Sequence, residues 1–210
     1  MALPAIAPYE LPGPADLPPR KVPWQVDPAR AVVLVHDLQN YFLGAFPAEG
    51  PPLEPALANT ARILDRARAL GMPVVYSHQR GGQTPEERGL QLDFWGPGLP
   101  DDPRAQAVPD VVAPAAQDHM LLKWKYSAFA RTDLAELLDK AGRDQLVIVG
   151  VYAHIGVLMT ACDAWMRDVQ AFVVSDAVAD FSAEKHAEAL RWAAEKCAVV
   201  LTTDDLLEGK

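Results

Sequence analysis

Six short apolar runs, rich in β-branched residues, recur along the chain: Ala31–His36, Val74–Ser77, Met120–Lys123, Gln145–Val151, Ala171–Ser175 and Ala198–Leu201. They do not alternate apolar with polar, so each predicts a strand buried on both faces, the kind found in parallel sheets. Between them the spacing turns helical. Ala56, Ile63, Ala67 and Leu70 share one face, and Gly71 and Pro73 supply a stop. A helix is predicted over about Arg131–Ala141, closed by Gly142. Ile155, Leu158, Met159, Cys162, Trp165 and Met166 form another stripe, and Ser182 caps a helix whose predicted core face is Ala187, Leu190, Ala194 and Cys197. Strands alternating with helices predict an α/β fold of three layers, α/β/α, around a central six-stranded parallel sheet of Rossmann-like type.

Two stretches depart from this rhythm. Residues 1–28 hold eight of the nineteen prolines, which rules out helix and central strand. Tyr9, Leu11, Val22 and Trp24 are too apolar for a free linker, so this segment is expected to be an extended arm packed on a single domain spanning 29–210. The second is a polar loop from His78 to about Pro103, dense in glycine and proline. Loops longer than about 15 residues in a compact domain are usually functional.

Composition narrows the classes of function. A chain of 210 residues, half of them hydrophobic, suits one domain with a sizeable core. A net charge of −9 argues against nucleic acid and anionic membranes as partners. A small anionic substrate remains possible, because salt screens beyond about 8 Å and local cations then govern a pocket. The start lacks a basic n-region and no transmembrane span follows, so a cytoplasmic location is expected. Cys162 and Cys197 lie on apolar stripes and read as two reduced core thiols.

Candidate chemistry clusters at strand ends. The apolar run to Val151 breaks into Tyr152-Ala153-His154-Ile155-Gly156, where a helix begins. The first N–H groups of such a helix lack intrahelical partners and can hold an anion, at the sheet edge where open α/β folds build their sites. Asp37 and Lys123 end two other strands at the same edge. Taken singly, Asp37 suits a cap, Lys123 a solvated surface and Gly156 a tight turn; their coincidence at one edge favours a site. His36, His119 and His186 read as core or surface residues, and His154 as a prop for its turn. No metal site is visible, since His78 has no second ligand at suitable spacing.

G-V-Y-A-H-I-G-V-L at 150–158 resembles the signature of the isochorismatase group within the cysteine-hydrolase superfamily. V-H-D-L-Q at 35–39 and K-W-K-Y-S-A-F at 123–129 match the same group in order and spacing, as do segments at 83–99, 141–147 and 178–182. Most of that superfamily carries a nucleophilic cysteine where this chain has Gly156. The resemblance implies hydrolysis of an enolpyruvyl vinyl ether without covalent catalysis or cofactor, with Asp37 as general acid and Lys123 orienting it. Gln79, Arg88, Trp95, Tyr152 and Gly156 are implied to bind substrate, and Tyr41 and Phe42 are assigned with them. It also implies a non-proline cis peptide at Val151–Tyr152; a homodimer is expected.

The chain departs from relatives at Lys125, where most have arginine, and at H-Q-R-G-G (78–82), where A-Q-P-G is usual, leaving the effect of His78 and Arg80 on that wall open. The resemblance implies isochorismate or its 2-amino-2-deoxy counterpart as substrate, leading to siderophore- or phenazine-type products. The absence of a carrier domain before the chain stops at Lys210, with the G-V-L after Ile155, tilts the choice toward the amino compound. Two alternatives stand beside this: a non-catalytic sensor that keeps the pocket, and an amidase. The amidase would need a thiol at the turn, and Cys162 lies nearly two helical turns beyond it.

Overall fold

In the computed structural model, which describes residues 3–210, six strands form one parallel sheet in the order β3-β2-β1-β4-β5-β6. They are β1 (Ala31–His36), β2 (Val74–His78), β3 (His119–Leu122), β4 (Gln145–Val151), β5 (Gln170–Ala179) and β6 (Ala198–Leu201). The helices are α1 (Asn40–Leu43), α2 (Leu53–Ala69), α3 (Pro85–Arg88), α4 (Gln91–Trp95), α5 (Pro103–Gln106), α6 (Leu134–Ala141), α7 (Leu158–Trp165), α8 (Ala183–Lys196) and α9 (Thr203–Glu208). Met1 and Ala2, the first residues of the expected arm, lie outside the described residues.

Side chains alternate across each strand. Val33, Val35, Val147 and Val149 therefore point into one core with Ile63 and Leu64 of α2. Val32, Leu34, Leu146 and Ile148 point into the other with Leu134, Ala161 and Leu190 of α6, α7 and α8. Helices on both faces explain the unbroken apolar runs and make the three predicted layers. The chain winds outward from β1 in both directions, so the strand order reverses between β1 and β4. At the carboxyl ends of those two strands a crevice opens, the place where doubly wound sheets bind ligands.

Several predicted details are corrected. Half of the stripe Ile155, Leu158, Met159, Cys162, Trp165, Met166 faces outward: Met159 is exposed, Trp165 is 51% and Met166 64% exposed, while Ile155, Leu158 and Cys162 pack partly buried against the two cores. The buried side of that helix is Gly156, Val157, Thr160, Ala161 and Ala164, small residues that let it approach the sheet closely. Cys162 is consequently half-buried, whereas Cys197 is buried as expected. On α8 the exposed Ala187 gives way to His186 and Ala189 as core contacts. The predicted start at Arg131 moves to Leu134, because Arg131 sits at φ 63°, outside helical space. Lys123 lies just past β3, not inside it. The loop after β2 contains three short helices, α3, α4 and α5.

The arm is fastened at both ends of the sheet. Tyr9, Val22, Trp24 and Val26 pack on the α2-side core. At the amino edge the Gln145 amide accepts from Asp27 N–H at 2.7 Å and donates to Gln25 O at 2.9 Å and Gln170 Oε1 at 2.8 Å. At the carboxyl edge the Tyr9 hydroxyl accepts from Asp180 N–H at 2.7 Å and lies 3.1 Å from His186 Nδ1.

Candidate active site

The chain leaves β1 through Asp37 at φ 52°, a left-handed conformation that aspartate adopts more readily than most residues. The turn directs the carboxylate into the crevice. Ser77 Oγ donates to Oδ1 at 2.6 Å, Gln79 Nε2 donates to Oδ2 at 3.1 Å, and Lys123 Nζ stands 3.0 Å from Oδ2. Gln39 fixes the geometry from behind: its amide accepts from Gln79 N–H at 2.7 Å and donates to Gln79 O at 2.9 Å. The end of β1 thus delivers the carboxylate, the end of β2 delivers Ser77 and Gln79, and the end of β3 delivers Lys123.

Lys123 is only 2% exposed. Its ammonium is tethered by Lys125 O at 2.6 Å and Tyr126 O at 3.4 Å. Burial alone would push the Asp37 carboxyl upward; the Lys123 ammonium, with the Ser77 and Gln79 hydrogen bonds, outweighs it and holds the carboxyl below the usual range. His36 adds little charge, because burial pushes its imidazole toward the neutral form.

Arg88, which as a loop residue would ordinarily be solvated, is only 5% exposed. Its Nε donates to Gly96 O at 3.0 Å and Nη1 to Gln79 Oε1 at 3.4 Å. Burial disfavours its charge, and tyrosines, not carboxylates, are the acidic groups near it. Lys125 Nζ donates to Arg88 O at 3.3 Å, so the lysine standing in place of arginine supports the end of α3. Arg80 points away to Glu87, 2.6 Å distant, and lies over Trp124. His78 likewise stands outside the cleft lining.

These residues line a cleft of about 560 Å³ including its open mouth. Asp37, Lys123, Gln79, Arg88, Trp95, Tyr152, Gly156, Tyr41 and Phe42 all border it, so every expected site residue is brought to one place. Tyr126, Ile155 and Phe181 join them without having been singled out, as does His36. Phe181 packs at 4.4 Å against Tyr152, whose hydroxyl donates to Phe42 O at 2.7 Å. Trp95 Nε1 donates to the Tyr126 hydroxyl at 2.7 Å. All three lie in family-like segments already noted, Tyr126 in 123–129, Ile155 in 150–158 and Phe181 in 178–182, and were within reach of sequence reading.

The turn after β4 has the expected cis peptide at Val151–Tyr152. One π-helical turn, Ala153–Val157, leads into α7. His154 props it: its N–H donates to Asp180 Oδ2 at 2.7 Å and its Nδ1 lies 2.5 Å from Oδ1. Among the described residues no three His, Cys, Asp or Glu side chains come together as a metal site. Nor is any described helix long and apolar enough to cross a membrane.

An anchored carboxylate–ammonium pair, a buried arginine with no carboxylate partner among the described residues and a turn with glycine at 156 accompany clear likeness to known proteins. The Isochorismatase domain model matches residues 31–205. "Isochorismatase" of Bacillus subtilis is 52% identical over 99% of this chain and 67% of its own length. "Phenazine biosynthesis protein PhzD" of Pseudomonas fluorescens is 47% identical over 98% of both chains. The cysteine hydrolase of Pseudomonas syringae pv. phaseolicola shares the fold, with a TM-score of 0.80 at 22% identity over 91% of this chain and 96% of its own. The chain is a hydrolase-fold protein that belongs to the isochorismatase family.

Proposed function

We propose that the chain hydrolyses the enolpyruvyl vinyl ether of isochorismate and of 2-amino-2-deoxyisochorismate, releasing pyruvate and a dihydro-dihydroxybenzoate or dihydro-3-hydroxyanthranilate. The observation that carries this is the Asp37–Lys123 pair, 3.0 Å apart and buried, beside a turn with no side chain at 156. The reaction needs a proton on the terminal vinyl carbon, which leaves an oxocarbenium ion at the carbon beside the ether oxygen. Water adds there, and the hemiketal collapses to pyruvate and the ring alcohol. Asp37 gives the proton. Arg88 and Lys123 meet the substrate's carboxylates, and Phe42, Tyr152, Phe181 and Trp95 enclose the ring.

Before substrate arrives, Asp37 is ionised. Anionic substrate spends the field of Lys123 and closes the cleft to water, and both changes raise the carboxyl toward a working acid. A proton is therefore taken up between free enzyme and transition state, so kcat/KM falls as pH rises through neutrality. The lining holds one carboxylate, Asp37, and it is already engaged; no second anion selects an ammonium over a hydroxyl on the ring. This supports acceptance of both compounds over the amino compound alone. The name of one relative, "Phenazine biosynthesis protein PhzD", fits a place in phenazine-type biosynthesis.

The test is parallel turnover of both purified compounds, with pyruvate release measured in D₂O and in ¹⁸O water. One solvent deuteron in the pyruvate methyl group and an unlabelled ring hydroxyl are expected. No pyruvate would mean a non-catalytic binding protein. Label in the ring hydroxyl would mean attack at the ring carbon, and more than a hundredfold discrimination would overturn the shared-substrate reading.

A homodimer in the cytoplasm goes with this reading. The apolar outer stripe of α7, with Met159, Trp165 and Met166 exposed, supports a covered face, and two unpaired cysteines suit a reducing compartment. Light scattering of the purified chain tests the dimer.

A further inference from the structure

His36 is a buried residue that the proposed reaction does not use, and it is clasped between two glycines. On one side β1 and β4 pair His36 with Gly150. A Cβ built on Gly150 would stand 2.8 Å from His36 N, and its φ of +114° already restricts it to glycine. On the other side a Cβ on Gly156 would stand 2.7 Å from His36 Nε2 and 3.0 Å from Nδ1, with Cε1 nearer still. Gly156 has no positive φ, so its backbone would accept an L side chain. What excludes one is the imidazole, which already occupies that volume.

The same ring braces the reacting pair. Its Nδ1 lies 2.9 Å from Val151 O, at the end of β4, and its Nε2 lies 3.3 Å from Tyr126 O. A neutral imidazole has one N–H to give, and the shorter contact, to Val151 O, is the better placed to take it. Tyr126 O is also a tether of the Lys123 ammonium, and Asp37 is the next residue in the chain. His36 therefore spans the gap between the β4 turn and the segment that holds Lys123, directly beneath the carboxylate.

We infer that His36 is a positioning residue for the Asp37–Lys123 pair, and that position 156 is glycine because the imidazole fills the space a side chain there would need. In this chain the choice between covalent and non-covalent chemistry is then made by a pair of positions, 36 and 156. A thiol at 156 alone would displace the ring and loosen the acid before it could act as a nucleophile. The inference rests on the roles proposed above for Asp37 and Lys123.

The test is a double-mutant cycle read by kcat, KM and thermal midpoint. Gly156→Ala should lower kcat at least about tenfold in the native background and less than about threefold when His36 is valine, whose side chain lacks the ring. His36→Val alone should lower kcat and leave KM within about threefold, because the substrate's own contacts stay in place. His36→Asn, which keeps a donor for Val151 O, should retain more kcat than His36→Val and serves as the second background if valine is not tolerated. An equal loss from Gly156→Ala in both backgrounds, or a loss confined to KM, would overturn the inference. The thermal midpoints of the same proteins repeat the cycle without substrate. Absence of wild-type turnover would defeat the proposed reaction, while additive midpoints would defeat the coupling of His36 to Gly156.

Discussion

Two buried polar knots sit at opposite edges of the same sheet, one at the start of β4 and one beyond the end of β1. At the amino edge Gln145 satisfies its amide on Asp27, Gln25 and Gln170, all within the protein and all neutral contacts. At the carboxyl edge Asp37 is gripped as firmly, by Ser77, Gln79 and Lys123, yet the knot is not balanced. Two cations, Lys123 and Arg88, line a cleft with one carboxylate. Burying charge is expensive unless it is compensated. The difference between the knots is that one is closed by the chain and the other leaves positive charge for a ligand to close. Burial of polar groups does not by itself mark a site; incomplete compensation inside a cleft does.

The largest expected effect falls on the unbalanced knot. Asp37→Ala and Asp37→Asn should each lower turnover at least about 10²-fold, the scale of general acid catalysis. A variant that keeps more than a tenth of wild-type turnover would take Asp37 out of the chemistry. Next comes the removal of its partner. Lys123→Met leaves a buried carboxylate without its cation, and about 3–5 kcal/mol of stability should be lost at neutral pH. Asp37 has a folded-state pKa below its ordinary 3.8, so the stabilisation is complete above that value and is lost as pH falls through the lower, folded one. Urea melts at pH 7 and at pH 3 should therefore show the gap between wild type and Lys123→Met narrowing in acid; a constant gap would mean that Lys123 contributes packing and not charge.

Gln145→Ala sharpens the comparison from the other side. It removes three part-buried hydrogen bonds, two of them to the backbone of Asp27 and Gln25, and should cost about 1–3 kcal/mol in chemical melts while kcat stays at the wild-type value. A fall in kcat would mean that the two edges are mechanically linked through β4. Tyr9→Phe should have the smallest effect, about 0.5–1.5 kcal/mol for the lost hydrogen bond to Asp180. Its thermal midpoint should drop slightly and KM should rise, because Phe181 follows Asp180 in the cleft wall.

The sheet was legible because both faces are covered, which leaves an unmistakable apolar run for each strand. The first half of β5 was read correctly and its extension to Ala179 was not: register shifts between Ile148 and Gly150 of β4, which pair with Val173 and Val178, and this irregularity carries polar Ser175 and Asp176 through the strand. The face of α7 was misread for a different reason. Hydrophobic size suggests which residues want burial, but a helix lying close on a sheet buries alanine and glycine, and its large residues are left outside. The site residues were recognisable by their coincidence at strand ends and by likeness to the family. The burial of Arg88 was not, because it depends on Gly96 and Gly98 folding back over the guanidinium from a loop without periodicity.

The contact between Tyr9 and Asp180 has a consequence in time. These residues are 171 positions apart, so this end of the arm can take its seat only once β5 and α8 are in place. Until β5 and α8 have joined the sheet, the hydroxyl has nothing to hold, and the loop to be closed is most of the chain. Phe181, and with it one wall of the cleft, depends on that closure. Completing the pocket therefore waits on a closure that spans most of the chain.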